Sequence, residues 1–370
     1  MIGPDSIVCM RGEDSKHATM FSVLSPERRV PQDHPLRPIK AMADAVLSSM
    51  SKRFDRMYSS IGRPSIPPER LLKAQILIAL YSIRSDRMFC EQLDYNLLFR
   101  WFLDMNADDP AFDHSTFTKN GDRLLKHDVA AEFFAAVVEE ARVRGLMSSE
   151  HFTVDGTLIE AWASLKSFRP KGEKPEDRDP PDDPSNPTVN FHGEKRRNDT
   201  HESTTDPEAK LARKGNGKEA KLCFSGHALM ENRSGLLVDF KIAEANGTAE
   251  RVVALEMLAD NVAVEHATVA GDKGYDQRPF VEPCRELGIT PHVAAKAKHS
   301  AVDGRTTRHE GYKVSQRIRK RVEEIFGWIK SYGGLRRTRF HGVTRTQQTA
   351  HFVGAAYNLL RIANLTAAMA

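Results

Sequence analysis

Three carboxylates stand where their types and spacing could support chemistry, and the first of them is Asp155. It lies in the stretch EHFTVDGTLIEAWAS, residues 150–164, among apolar residues typical of a strand that enters a core. A buried carboxylate without a partner is costly unless something binds it. Because an Asp-Gly pair also favours a hydrogen-bonded turn, a structural role for Asp155 and Gly156 is the simpler alternative.

The second carboxylate, Asp272, repeats this pattern in the segment AGDKGYD, residues 270–276. It ends an apolar strand and is followed closely by glycine. Ligands of open α/β sheets collect at the carboxyl ends of strands, so Asp155 and Asp272 could meet at one site. The alternative for Asp272 is a cap of a turn or a helix.

The third carboxylate, Glu323, lies in a segment, residues 313–334, whose apolar spacing predicts one long helix. At about 100° per residue, Arg319, Glu323 and Lys330 fall on one flank of the apolar stripe of this helix, whereas Glu324 falls on the other. Glu323 is therefore placed to face a cleft. The alternative is a surface Arg–Glu pair, which stabilises a helix by about 0.3–0.5 kcal/mol.

Three convergent carboxylates without histidine or cysteine suit hard cations such as Mg²⁺, or Mn²⁺ as a substitute. Two such ions can activate water or a 3′-hydroxyl group and stabilise the leaving oxygen in phosphodiester displacement. Basic side chains beside the site would then hold the phosphate.

Five other side chains compete for a role near these motifs. Glu160 is five residues after Asp155, and this odd offset predicts that it points to the other face of the strand. We expect Asp206 to cap a short helix, and His227 to fill the sheet rather than orient a phosphate. We also expect Trp162 and Trp328 to pack in the core rather than stack on a base.

The elements that position the carboxylates fall into two regions. Residues 1–35 lack periodicity and predict a loose arm, and residues 36–147 predict a helical domain. In that domain, helices are expected over residues 71–83, 89–103 and 128–145, with a short polar helix pair over 114–127. The domain could be plain helical packing, or it could serve DNA binding or dimerisation; the candidate phosphate contacts would be Arg84, Arg87, Lys119 and Arg123.

Residues 148–366 predict a mixed α/β domain with helices on the faces of its sheet. A hairpin is expected around residues 232–235, strands over 267–275 and 289–296, and helices over 248–262, 278–288 and 344–365. A polar insertion at about 165–220, rich in Pro, Asp, Lys and Gly, predicts a partly disordered surface segment.

Charge and composition narrow the function classes. The net charge of the chain is +4, but residues 296–345 contain 14 Lys and Arg against 4 Asp and Glu, which favours a polyanionic partner. The 4 cysteines are far apart and form no zinc or disulfide pattern. No segment has the ~20 apolar residues of a membrane span, and no secretory signal is apparent. A cytoplasmic location is the expectation.

Taken together, the motifs resemble those of the DDE transposases of bacterial insertion sequences. They comprise VDGT with IEA, then GDKGYD, then the Arg319, Glu323 and Lys330 spacing. The group with a Tyr–Arg–Glu–Lys signature is the most similar, although Gln316 occupies the position of its tyrosine and Tyr312 lies one helical turn earlier. The resemblance spans roughly residues 60–365.

The resemblance implies a ribonuclease H-like fold with a mixed five-stranded sheet. It also implies that Asp155, Asp272 and Glu323 are catalytic and bind two Mg²⁺ ions. Arg319 and Lys330 would bind phosphates, and the further candidate DNA contacts are Lys273, Arg336, Arg337 and Arg339. The partners would be double-stranded DNA, as terminal inverted repeats and target, and a second copy of the chain on paired ends. A nucleoid-associated, cytoplasmic location would follow.

Two alternatives stay open from the residues alone. One is a metal-dependent nuclease on the same fold that does not join DNA strands. The other is a non-catalytic DNA-binding derivative. An intact set of three carboxylates argues against the second alternative.

Overall fold

A computed structural model of the chain describes residues 24–58, 65–172, 196–215 and 217–369. In the part before residue 148, the described residues form α1 (Pro26–Arg29), α2 (Leu36–Ser49), α3 (Ser51–Asp55), α4 (Pro68–Leu80), α5 (Asp86–Tyr95), α6 (Leu97–Phe102), α7 (His114–Lys126) and α8 (Val129–Val143).

Capping side chains decide where two of these helices begin. The predicted helix over residues 89–103 is divided at Asn96, which adopts an extended backbone and accepts hydrogen bonds from the amides of Leu98 and Phe99. Conversely, residues 114–127 form one helix rather than a pair, with Asp113 accepting from the amide of Thr116. Both arrangements are N-caps, which satisfy amides that have no partner within the helix.

The prediction of a loose arm over residues 1–35 does not hold for its last part. Helix α1 packs against α6, where the indole of Trp101 donates to Glu27 Oε2 at 2.5 Å. Arg37 donates to Glu27 Oε1 at 2.7 Å, and Val30 is buried. Residues 1–23 lie outside the described residues.

After residue 148 the chain forms one large mixed sheet and a small hairpin. The strands are β1 (His151–Glu160), β2 (Phe168–Pro170), β3 (His201–Ser203), β4 (Lys210–Ala212), β5 (Lys221–Glu231), β6 (Leu237–Glu244), β7 (Thr268–Gly271) and β8 (Thr290–Val293).

The large sheet has the strand order β6-β5-β1-β7-β8, with β4 also paired to β5. Strand β1 pairs antiparallel with β5 and parallel with β7, and β7 pairs parallel with β8. Strand β4 pairs with the first residues of β5, and β6 pairs with the residues that follow, so both lie on one edge of β5. The described sheet therefore has six strands rather than the five predicted.

The sixth strand, β4, comes from the described part of the insertion at about 165–220. Strands β2 and β3 form a separate antiparallel pair, and β4 extends the main sheet. Residues 173–195 of the insertion lie outside the described residues.

The remaining helices are α9 (Ala249–Asn261), α10 (Arg278–Glu286), α11 (Gly304–Thr307), α12 (Glu310–Ile318), α13 (Val322–Ser331) and α14 (Val343–Met369). None of the described helices is both long and apolar enough to cross a membrane.

The prediction of one helix over residues 313–334 is wrong, because a 3₁₀ turn at Arg319–Arg321 separates α12 from α13. The two sides of the turn are held by different partners. On α12, Ser315 bonds His292 of β8. At the turn, Arg321 donates to the carbonyls of Asn232 and Arg233 in the β5–β6 connection. Tertiary contacts thus override a run of residues that favour helix.

Two hydrophobic clusters cover the two faces of the sheet. One joins α2, α4, α8, α13 and α14 to one face, so the N-terminal helices share a core with the sheet. The other packs α9 and α10 on the opposite face. In β1, Val154 belongs to the second cluster and Ile159 to the first, as expected for side chains that alternate along a strand.

Helix α14 ties the N-terminal helices to the sheet through one fully buried amide. The side chain of Asn358 accepts from the amide of Leu237 at 2.9 Å and donates to its carbonyl at 2.7 Å. These bonds satisfy the edge of β6 that would otherwise be buried without partners.

We therefore predict that Asn358→Ala lowers the free energy of unfolding by roughly 2–4 kcal/mol, because it leaves two buried backbone groups unpaired. Chemical denaturation measures this change. The control is Asn364→Ala at an exposed position of the same helix, which should leave stability unchanged. Equal stability of the two variants would show that the Asn358 bridge is dispensable.

Candidate active site

Asp155 and Asp272 lie at the point where two neighbouring parallel strands separate. The pairing of β1 with β7 ends at Thr153 and Ala270, and each aspartate comes two residues later. Strand β1 continues beyond its partner, paired with β5 as far as Glu160. The carboxylates of both aspartates therefore emerge at one end of the parallel part of the sheet.

Both aspartates line one cavity of about 890 Å³. Asp155 accepts a hydrogen bond from the amide of Gly156 at 2.8 Å, and Asp272 accepts one from the amide of Gly274 at 2.6 Å. Each bond is local and uses one carboxylate oxygen, so the other oxygen of each group is open to a ligand.

The surroundings of Asp155 disfavour the charged form of its carboxyl group. Its pKa is raised to about 7, first by burial and then by the negative charges of Asp272, Glu250 and Glu323, whereas the hydrogen bond from the Gly156 amide opposes the rise. A carboxylate in this setting is stabilised in its charged form by any cation that binds beside it.

Other buried carboxylates of the chain show what a structural role looks like. Glu231 is fully buried and accepts from Ser148, Arg233 and Ser234. Asp276, in the same GDKGYD motif as Asp272, accepts from the amides of Lys296, Ala301 and Val302. Although burial opposes this, those bonds hold the pKa of Asp276 below its ordinary value. Asp155 and Asp272 have no comparable set of donors among the described residues.

Glu323 is exposed in the first turn of α13. Its charge is close enough to Asp155 to raise the pKa of Asp155. Glu323 does not line the cavity. In the described part of the chain, no group of three or more His, Cys, Asp or Glu side chains is arranged closely enough to enclose a metal ion. The acidic groups whose charges act on Asp155 are Asp272, Glu250 and Glu323. Carboxylate oxygens are the ligand type that Mg²⁺ and Mn²⁺ prefer.

Lys330 is the basic group most firmly placed in the cavity. Its Nζ donates to Thr157 Oγ1 at 2.6 Å, and Thr157 shares a strand face with Asp155 because it is two residues later. Burial lowers the pKa of Lys330, and repulsion from Lys214 and Arg336 lowers it further. Three cations thus lie together along one side of the cavity, which favours an anionic ligand there.

Of three other predicted DNA contacts, one lines the cavity and two are bound to other parts of the protein. Arg336 is exposed and lines the cavity. Arg337 donates to the carbonyls of Ala161 and Trp162, and Arg339 pairs with Asp86 of α5 at 2.9 Å. These two arginines line a second cavity of about 270 Å³, and both make contacts within the protein.

The remaining predicted contacts do not line the main cavity. Lys273 is exposed in the turn after β7, and Arg319 donates to Gln316 Oε1 at 3.0 Å. Gln316 itself donates to the carbonyl of His292. Tyr312 donates to the carbonyl of Val293 and accepts from the amide of Ala295. Gln316 and Tyr312 thus both attach α12 to β8 or to Ala295, which follows β8 closely.

The candidate phosphate contacts of the N-terminal helices are exposed at Arg84, Arg87 and Lys119. Arg84 lines the second cavity with Arg337 and Arg339. Arg123 lies over the ring of Tyr58 and donates to Asn120. These contacts fit the alternative in which the helices only pack together.

Three of the competing side chains have structural contacts. Glu160 accepts a hydrogen bond from Lys221 at 2.9 Å and lines the same cavity as Asp155. Asp206 accepts from the amide of Gly342, the residue before α14, and does not cap a short helix as predicted. His227 is buried with Nε2 at 2.9 Å from Ser225 Oγ, and burial lowers its pKa to about 4.

The two tryptophans differ. Trp328 packs against the core beside Tyr357, as predicted. The prediction for Trp162 is wrong, because its side chain is 52 % exposed and stacks on the guanidinium of Arg337. Its position just after the end of β1 places it beyond the covered part of the sheet.

Glu250 is the residue that the sequence did not single out. It lies in the first turn of α9, lines the main cavity and is coupled to both Asp155 and Asp272. An acidic residue in the first turn of a helix is common for electrostatic reasons. The sequence around it therefore carried no signal of a site.

Two family descriptions match the chain. Residues 24–123 match the family described as Transposase domain (DUF772), and residues 187–359 match the Transposase DDE domain. The second match contains Glu250, Asp272 and Glu323, whereas Asp155 lies before its first residue.

Some solved transposase structures are distantly similar. A piggyBac transposase synaptic complex with hairpin DNA is 8% identical, with 90% of this chain and 76% of that chain covered and a TM-score of 0.42. A Mos1 transposase paired-end complex with the left transposon end is 10% identical, with 83% and 84% covered and a TM-score of 0.20.

At these TM-scores the structural likeness carries no weight, and the assignment rests on the two family matches and the motifs they contain. The chain belongs to the DDE-type transposases of insertion sequences and is an enzyme with transposase activity.

Proposed function

We propose that this transposase cuts DNA at the inverted-repeat ends of its element and joins those ends to target DNA by metal-dependent phosphoryl transfer. The proposal rests on the groups that line the main cavity, which is the cavity of about 890 Å³ that contains Asp155 and Asp272. There, Asp155 and Asp272 lack the donors of structural carboxylates, and Lys330 and Arg336 line the same space. Acidic groups suited to a divalent cation thus lie beside basic groups suited to a phosphate.

The strand order supports a ribonuclease H-like fold as part of this proposal. Three antiparallel strands, β6, β5 and β1, are followed across the sheet by two strands parallel to β1. Asp155 then stands on the first, central strand and Asp272 directly after the next parallel strand. In such a sheet the two positions are neighbours although 117 residues separate them in the sequence.

Asp155, Asp272 and Glu323 would hold Mg²⁺ or Mn²⁺, which we propose as two ions per site. When bound, such ions activate the attacking water or 3′-hydroxyl group and stabilise the leaving oxygen. Glu323 would join the set from the first turn of α13, where its charge already acts on Asp155 and Lys330.

The basic side of the cavity would fix the DNA strand. Lys330, held by Thr157 on the Asp155 face, would contact the scissile phosphate, and Arg336 a neighbouring phosphate. Lys273 and Arg319 would contact DNA farther from the cut. Because Arg337 and Arg339 are engaged with Ala161, Trp162 and Asp86, we propose that they support the site rather than bind DNA.

The wider arrangement also belongs to the proposal. The inverted repeats and the target would be bound as double-stranded DNA by two copies of the chain on paired ends. The location would be cytoplasmic, at the bacterial nucleoid.

Strand cleavage tests the role of the carboxylates. The wild type should cut a supercoiled plasmid that carries the gene with its native flanks, at those flanks, when Mg²⁺ or Mn²⁺ is present. Asp155→Asn and Glu323→Gln should each lower the rate by a factor of at least about 10³, because a catalytic electrostatic group is removed. Mapping the ends on a sequencing gel measures the cuts.

The products distinguish the proposal from its alternatives. Joined 3′ ends in a second plasmid support a transposase, whereas cuts without joining favour a nuclease. Binding to the flanks without any cut, unchanged in both variants, would contradict a catalytic role and favour a DNA-binding derivative.

Two adjacent arginines, Arg336 and Arg337, form a matched pair for testing DNA contacts. Arg336→Ala should weaken binding to end DNA and reduce the slope of log affinity against log salt by about 0.9, the value for one phosphate contact. Its thermal stability should not change. Arg337→Ala should instead lower the melting temperature, because the carbonyls of Ala161 and Trp162 lose their donor.

Fluorescence anisotropy across a salt series and differential scanning fluorimetry measure these effects. An unchanged salt slope for Arg336→Ala would remove Arg336 from the proposed phosphate contacts.

A further inference from the structure

Glu250 has an unusual position for a residue at the start of a helix. An acidic side chain in the first turn of α9 would ordinarily gain from the helix dipole. Here burial raises the pKa of Glu250 instead, and the charge of Asp272 raises it further. The surroundings of the carboxylate therefore outweigh the helix dipole.

Glu250 also lacks the donors that a structural carboxylate collects. Among the described residues, its side chain forms no hydrogen bond or ion pair of normal geometry, although the nearby Tyr275 hydroxyl and Arg251 oppose the rise of its pKa. Glu231, by contrast, is satisfied by three donors. A half-buried carboxylate next to two other unsatisfied carboxylates is stabilised in its charged form by a cation that binds beside it.

The backbone of β1 leaves room for this carboxylate. A Cβ atom at Gly156 would lie 2.8 Å from Glu250 Oε1. Gly156 thus permits Glu250 to approach the strand directly beside Asp155, from the face on which α9 packs. Any side chain at residue 156 would displace the Glu250 carboxylate from that position.

Among the described residues, two buried polar atoms near the same place have no hydrogen bond of normal geometry. The Tyr275 hydroxyl is buried and lies near Glu250 but outside hydrogen-bonding geometry. Burial, together with the charges of Glu250, Asp155 and Asp272, holds the pKa of Tyr275 well above its ordinary value. His227 Nδ1 is likewise buried and unpartnered, in a residue that lines the cavity.

Unpaired polar atoms of this kind are rare in proteins and indicate an ion or water that satisfies them. Oxygen ligands of a hard cation usually keep bound water. A hydrated cation would therefore satisfy the carboxylates and give Tyr275 and His227 hydrogen-bonding partners.

We propose that Glu250 is a fourth carboxylate ligand, acting directly or through a bound water, of the divalent cation held by Asp155 and Asp272. This inference rests on the proposed function, because it uses the same site. It assigns α9 a part in the active site, together with Gly156 as the residue that admits the Glu250 side chain.

The test is the affinity of the full-length chain for MnCl₂, measured by isothermal titration calorimetry without DNA. Glu250→Gln should lower the Mn²⁺ affinity about 10-fold or more, in the range found when groups that support a metal site are removed. The matched control is Glu256→Gln, an exposed residue of the same helix, which should bind Mn²⁺ as the wild type does.

The variant Asp155→Asn separates the role of Glu250 from the existence of the metal site. If Asp155→Asn loses Mn²⁺ affinity and Glu250→Gln does not, the role of Glu250 is overturned while the metal site stands. If neither variant loses affinity, or the wild type binds no Mn²⁺, the metal site itself is overturned.

A second variant guards against an effect of misfolding. Gly156→Ala should reduce the Mn²⁺ affinity by displacing the Glu250 carboxylate, and it should have little further effect in the Glu250→Gln background. Independent, additive losses in the two variants would contradict direct contact between Gly156 and Glu250 as the cause.

Discussion

Repulsion among unsatisfied carboxylates at one end of the sheet is the constraint on which the rest of the site depends. Asp155, Asp272 and Glu250 come from three different elements, and each raises the electrostatic cost of its neighbours. Local packing alone would not keep such groups together. The two faces of the sheet supply the necessary rigidity, because one is covered by α9 and α10 and the other shares a core with the N-terminal helices.

The same architecture explains how acidic and basic groups lie side by side without neutralising one another. Lys330 is held by the hydroxyl of Thr157 rather than by a carboxylate. Arg336 lines the cavity, whereas its neighbour Arg337 is bound to backbone carbonyls beyond the end of β1. The carboxylates and the basic groups of the cavity therefore stay apart, as the proposed phosphoryl transfer on DNA would require.

Much of this arrangement follows from local sequence. Asp155 and Asp272 stand out because one lies within an apolar strand and the other ends one, and the mixed sheet follows from strand and helix periodicity. Glu250 could not be found in this way, since its position at the start of α9 is ordinary. The 3₁₀ turn at Arg319–Arg321 depends on bonds to distant backbone groups, and the pair of Arg339 with Asp86 joins residues 253 positions apart. Such contacts exist only after folding.

A crystal structure of the chain soaked with MnCl₂, read through the anomalous signal of manganese, would show whether these carboxylates hold a cation. We expect anomalous density coordinated by Asp155 and Asp272, with Glu250 turned toward it from α9. Absence of density at this end of the sheet, with these carboxylates instead neutralised by Lys330 or Arg336, would mean that they do not form a metal site.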